Sequence, residues 1–238
     1  MADADGITKI DRAGHSSYNR RKTSYDDNND FYITPTWATE ALIGVYPDIV
    51  DKRTHTRVWE PCAGAGHMAV ALEKHIGVLA TELITRTPLI GMQTQIRNGI
   101  NFLNIADPVG VRPTAICMNP PYGMADAFIL KALSVVDQET HDVAAILPLT
   151  RLGGSGRYND MWSVRPPHSI FVFSERVSMF SNANAAMATN EGTVTYAWFV
   201  WRARPKEQKP THPVIRFIPP GTKPSKRIRN ASLVKVLI

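Results

Sequence analysis

Asn119-Pro120-Pro121-Tyr122 places an amide, a carbonyl with no competing local donor and an aromatic face within four residues. Those groups suit a planar substrate carrying an NH₂: two oxygens accept its hydrogens while a ring stacks on the tyrosine. The preceding run, Thr114 to Met118, is apolar and reads as a buried parallel strand. Two prolines cannot continue a strand, because each lacks an N–H and fixes its own φ. The chain therefore breaks at the strand's carboxyl end, where open α/β sheets bind ligands. An ordinary strand-ending turn explains the same four residues equally well, so the motifs upstream must decide.

Val58-Trp59-Glu60 reads as a first strand, Pro61-Cys62-Ala63-Gly64-Ala65-Gly66 as a glycine turn and His67 to His75 as a helix. Gly64 and Gly66 let backbone approach a ligand, and the helix start offers unpaired N–H groups. A second strand, Gly77 to Thr81, ends in Glu82, sixteen residues past Gly66. Its carboxylate can accept from both hydroxyls of a ribose. A dinucleotide site shares this spacing, and Glu60 separates the two readings. An acid ending the first strand opposes a pyrophosphate and attracts an ammonium group.

The elements that must hold these residues follow from periodicity. Order begins at Asp30-Phe31-Tyr32-Ile33-Thr34-Pro35, with Thr34 as N-cap and Pro35 as the first helical residue. Trp37, Ala41, Leu42 and Val45 then recur at helical spacing, to an end near Tyr46-Pro47. Ala125 to Val136 reads as a helix with Phe128, Ile129, Ala132, Leu133 and Val136 on one face. Val143–Leu147, Ser169–Val172, Thr195–Trp201 and His212–Ile218 read as further strands. Core packing accounts for the aromatic run Tyr196 to Trp201. Pro148 to Trp162, with Arg151, Gly153, Gly154, Gly156 and Arg157, reads as a mobile basic loop beside the site. Ser174 to Gly192 is a second long polar loop.

The 238 residues suit one α/β domain with tails: residues 1–29 as a disordered N-terminal tail, 30–221 as the domain and 222–238 as a basic tail. No run of eighteen apolar residues suggests a membrane span, and residues 1–30 are too polar for a signal peptide. Cys62 and Cys117 form neither a disulfide framework nor a metal spacing, so a reducing cytoplasm and no metal are expected. The net charge of +6 is uneven. Residues 203–238 hold nine Lys/Arg against one acid, whereas residues 30–202 hold thirteen against fifteen. A near-neutral body with a basic end fits a polyanion partner; a solubilising tail is the plainer account.

Glu60-Pro61-Cys62-Ala63-Gly64-Ala65-Gly66 is similar to the donor loop of class I methyltransferases, and Asn119-Pro120-Pro121-Tyr122 resembles the amino-methyltransferase motif. From about Asp30 to Gly221 the chain resembles phage- and prophage-type DNA adenine methyltransferases, with Ser174-Glu175-Arg176 and Tyr196 to Trp201 also matching. The resemblance implies a Rossmann-like α/β fold, with a mostly parallel seven-stranded sheet, helices on both faces and the last pair of strands antiparallel. It implies S-adenosyl-L-methionine as cofactor, held by Tyr32, Thr34, Pro35, Glu60, Cys62, Gly64, Gly66, Glu82, Asn101, Phe102 and Asn119. It implies Asn119, Pro120, Pro121 and Tyr122 as catalytic residues acting on an adenine flipped out of DNA. Asn101 departs from the acid usual at its position, and Phe102 suits core packing as well as ring stacking. No separate target-recognition domain, such as larger members of that family carry, is expected here. Protein glutamine and RNA adenine are alternative acceptors, since both carry a planar NH₂; a catalytically idle DNA-binding protein is a third alternative.

Overall fold

The computed structural model describes residues 31–105, 113–136, 141–181, 194–202 and 212–223. The expected tails, residues 1–29 and 222–238, lie outside the described residues apart from 222 and 223, as does the greater part of the second polar loop. The strands are β1 (Tyr32–Ile33), β2 (Arg57–Glu60), β3 (Gly77–Thr81), β4 (Ile96–Arg97), β5 (Ala115–Met118) and β6 (Asp142–Pro148). They continue with β7 (Ser169–Phe173), β8 (Phe180–Ser181), β9 (Tyr196–Trp201) and β10 (Val214–Ile218). The helices are α1 (Thr36–Val45), α2 (His67–Leu72) and α3 (Ala125–Val135), with a further helical stretch over Ser155–Trp162.

Eight strands form one sheet in the order β10-β7-β9-β6-β5-β2-β3-β4. All neighbours pair in parallel except β9, which runs antiparallel between β6 and β7. The sheet thus has one strand more than the seven expected. The extra one is the edge strand β10, paired in parallel with β7, and the antiparallel β7–β9 pair is present as anticipated. From β2 the chain winds outward through β3 and β4, then crosses back to β5 and β6 on the other side. The crevice between the carboxyl ends of β2 and β5 is therefore the topological switch point.

Alternation along the strands divides the core into two layers. Val58, Cys117, Ala144, Ile146, Trp198 and Val200 pack with Ala38 and Leu42 of α1 and Met68 and Leu72 of α2. Trp59, Ile116, Met118, Ala145, Leu147 and Phe199 pack on the other face with Phe128, Ile129, Ala132 and Leu133 of α3. A side chain the size of Phe199, fully buried, contributes about 1.5–3 kcal/mol. The aromatic strand β9 is buried at every position, as core packing requires. Its Trp198 indole also donates to the Ala38 carbonyl at 2.9 Å, fixing α1 on the sheet.

Two local expectations change. Helix α1 starts at Thr36 with Pro35 as its N-cap, and no side chain caps it. Thr34 is buried at the pocket instead. The stretch after β6 is built rather than loose: a 3₁₀ turn over Leu149–Leu152 leads into the Ser155–Trp162 helical segment. Arg151 and Arg157 both bind Asp126 at 3.1 Å, and Arg157 also donates to the carbonyls of Arg151 and Gly153. Trp162 seals the segment by stacking near Phe199 and Trp201.

Candidate active site

Because β2, β3 and β5 run in parallel, Glu60, Glu82 and Asn119 all emerge on one edge of the sheet. They line a pocket of about 1110 Å³, continuous with solvent, together with Phe31 to Thr34, the Pro61–Ala65 turn, Pro120 and Pro121. The turn folds back on the sheet, with Ala63 N–H donating to the Thr81 carbonyl at 2.9 Å and Gly66 N–H to the Ala63 carbonyl at 2.8 Å. Gly64 has φ +57°, and a Cβ there would run into the Phe31 ring. Gly66 has φ +88° and starts α2, and a Cβ would meet the Met92 sulfur. The positive φ favours glycine at both places, since other side chains are strained there.

The two acids differ in environment. Glu82 is buried with both oxygens bonded: its Oε2 accepts from Gly64 N–H at 2.7 Å, and its Oε1 from Leu83 and Ile84 N–H at 2.9 and 3.2 Å. Glu60 is buried with Oε2 enclosed and unpaired. Burial first, and the Glu82 charge second, push its carboxyl well above the usual glutamate range, against the pull of the Ala69 backbone N–H. Burial, then Glu82 and Glu60, hold the Cys62 thiol protonated in the same way. A cation entering this pocket would let Glu60 ionise and would relieve the repulsion between the acids.

On the β5 side, Cys62 Sγ donates to the Asn119 carbonyl at 3.2 Å, joining the glycine turn to the Asn-Pro-Pro-Tyr element. Asn119 Nδ2 donates to the Tyr32 carbonyl at 3.1 Å. A carbonyl only accepts, so the amide nitrogen must face it, and Asn119 Oδ1 is left enclosed without a partner. Tyr122 is buried behind the pocket wall. Its ring stacks on Tyr32, centroids 5.4 Å apart and planes 21° from parallel, with Tyr196 6.0 Å away.

The residues singled out from sequence are distributed as follows. Tyr32, Thr34, Glu60, Cys62, Gly64, Glu82, Phe102, Asn119, Pro120 and Pro121 line one pocket. Pro35, Gly66, Asn101 and Tyr122 do not line it. Asn101 caps the 3₁₀ turn Phe102–Asn104, its Oδ1 accepting from Leu103 N–H at 3.0 Å. Phe102 is core as well as wall, edge-on to Trp59 at 5.0 Å. Sequence reasoning missed Phe31, His67, Ile84, Arg86, Ile100, Met124 and Phe128 as lining residues. The first of these had a signal in its aromatic character beside Tyr32. Arg86 lies 3.7 Å from the centroid of the Phe31 ring, which it covers as a cation on an aromatic face.

Among the described residues no group of His, Cys, Asp and Glu could hold a metal ion, and no helix is long and apolar enough to cross a membrane. No family model matches the sequence, and no curated protein matches it. Solved structures do match in shape. A Listeria monocytogenes protein classed as a class I S-adenosylmethionine-dependent methyltransferase superposes with TM-score 0.58 and 10% identity, over 85% of this chain and 70% of that one. A Pyrococcus horikoshii protein classed as an RNA methyltransferase gives 0.53 and 16%, over 80% and 93%. The methyltransferase subunit of a type I restriction-modification system from Streptococcus thermophilus gives 0.50 and 14%, over 74% of this chain. This chain spans only 45% of that subunit's length. At such identities the likeness is one of fold, and the fold is the Rossmann-like fold of class I methyltransferases.

Proposed function

We propose that the chain is an S-adenosyl-L-methionine-dependent methyltransferase acting on the exocyclic amino group of adenine in DNA. The observation that carries this reading is Asn119 Oδ1, an enclosed acceptor without a partner, in one pocket with the enclosed and unpaired Glu60 Oε2. One atom lacks an NH donor and the other lacks a cation, which are the two things an aminopurine and a sulfonium amino acid bring.

The residues fit the donor. Glu60 would hold its ammonium group, ionising as it does so. Glu82 would accept from the ribose hydroxyls with the lone pairs its backbone partners leave. Ile84, Ile100 and Phe102 offer apolar surface for the donor's adenine. Bound there, the donor supplies an electrophilic methyl group. The chain's own work lies on the acceptor. An exocyclic amine is a poor nucleophile because its lone pair is delocalised into the ring. Asn119 Oδ1 and the Pro120 carbonyl would accept its two hydrogens and favour a tetrahedral nitrogen, returning the lone pair to that atom. The nitrogen becomes acidic once methylated, so no strong base is needed to take its proton.

The basic end of the sequence and the Asn-Pro-Pro-Tyr resemblance support DNA as the substrate. The decisive experiment incubates the protein with methyl-labelled donor and, separately, plasmid DNA, total RNA and glutamine peptides, followed by mass spectrometry of the digests. N6-methyladenine in DNA is the expected product. Label in RNA or in a glutamine peptide alone would overturn the DNA assignment.

A further inference from the structure

We propose that Tyr32 is a placeholder for the acceptor: its ring keeps the stacking place on Tyr122, and a planar acceptor enters by displacing it. The inference rests on the site reading above and gives Tyr32 a part on the acceptor side of the pocket. Three observations converge on it. Tyr32 and Tyr122 stand 5.4 Å apart and 21° from parallel, the relation an aromatic acceptor would take on Tyr122. Tyr122 does not line the pocket while Tyr32 does, so the ring of Tyr32 covers the one an acceptor must reach. The amide that would hold the acceptor's NH₂ already tethers the same strap, through Asn119 Nδ2 and the Tyr32 carbonyl.

The strap is also lightly attached. Strand β1 is two residues long, and its ladder is two pairs with β8, Tyr32 with Ser181 and Ile33 with Phe180. Phe31 rests on Gly64 and Thr34 is buried, so the segment is anchored on either side of Tyr32. A ring that leaves Tyr122 uncovers an aromatic face, and the arriving acceptor covers it again. Displacement therefore exchanges one stack for another. An acceptor that cannot stack finds the place already taken, and the placeholder discriminates against it.

The test is the split between KM and kcat for Tyr32→Ala, with Tyr32→Phe beside it. Acceptors are an unpaired adenine in a single-stranded oligodeoxynucleotide and a glutamine peptide, assayed with the full chain and labelled donor. Removing the competing ring should lower acceptor KM by about 3- to 10-fold, the worth of one aromatic stack, while kcat does not rise. Tyr32→Phe keeps the ring and should keep the higher KM. A merely structural strap would raise KM or leave it unchanged, and either result in a folded Tyr32→Ala protein overturns the placeholder alone. If the wild-type chain methylates neither acceptor, the site reading itself has failed, and the placeholder falls with it.

Discussion

Glu82 Oε2 accepts the Gly64 N–H at 2.7 Å, so the acid that follows β3 holds the glycine turn that follows β2. A residue expected from the sequence to bind a ribose is the clamp that shapes the glycine turn. Three backbone donors converge on its carboxylate.

Glu82→Ala should therefore do two things. Leaving the buried Gly64 N–H without a partner costs about 1–3 kcal/mol of stability. Donor affinity should fall further than one lost hydrogen bond explains, because the turn itself relaxes. Thermal melts and calorimetry with S-adenosylmethionine check both effects. A variant with wild-type stability would contradict the clamp, and one with wild-type affinity would contradict the ribose assignment.

Glu60 makes the pocket pH-sensitive. Its raised pKa means the folded chain keeps a proton that the unfolded chain releases above about pH 4.5. That contribution is complete below the unfolded value and is lost as pH rises through the folded one. Glu60→Gln cannot ionise and escapes the loss, so the variant's melting temperature should gain on wild type as pH increases. The same change should weaken donor binding about 10- to 150-fold, the loss of one charged hydrogen bond. Wild-type binding should release a proton, seen as a dependence of calorimetric heat on buffer ionisation enthalpy. Equal heats in all buffers would mean that Glu60 stays protonated under the donor.

Much of this was legible in the chain. Strands β2, β3, β5, β6, β7 and β9 are short apolar runs closed by turn residues, and each fell within two residues of its expected bounds. Glu60, Glu82 and Asn119 were legible because each ends such a run, and parallel pairing brings those ends together. What stayed hidden depends on distant partners. The two-residue strands β1, β4 and β8 carry no periodicity of their own, and Tyr32 meets Ser181 only in the folded chain. The burial of Tyr122 under Tyr32 follows from that pairing. Asn101 did carry a local signal: a short amide is well placed to accept from the backbone two residues on.

Asn119→Ala separates chemistry from donor binding. Its side chain faces the Tyr32 carbonyl, while its own carbonyl holds Cys62 and survives the substitution. Transfer should fall by about 10²- to 10³-fold, the usual cost of one positioned electrostatic partner. Donor affinity should change far less. A loss of donor affinity as large as the loss of rate would make Asn119 a structural residue.

The last prediction concerns where positive charge meets a polyanion. Arg151 and Arg157 are both turned onto Asp126, on the helix that follows the Asn-Pro-Pro-Tyr element, and their side chains are largely covered. A phosphate would have to compete with that carboxylate. Asp126→Asn removes the competitor's charge and should steepen the salt dependence of DNA binding by about 0.9 for each phosphate newly met. Lys226, Arg227, Arg229 and Lys235 follow Lys223 in the sequence and lie outside the described residues. Truncation after Lys223 should act in the opposite sense, flattening the slope by at most about 3.6. Phosphate contacts carry no base information, so any sequence preference should survive both changes. Binding isotherms from about 50 to 200 mM salt on two unrelated duplexes would read all of this. Unchanged slopes in both variants would place the phosphate contacts on other residues. A slope that flattens in Asp126→Asn would mean that the ion pair itself holds the DNA-binding surface together.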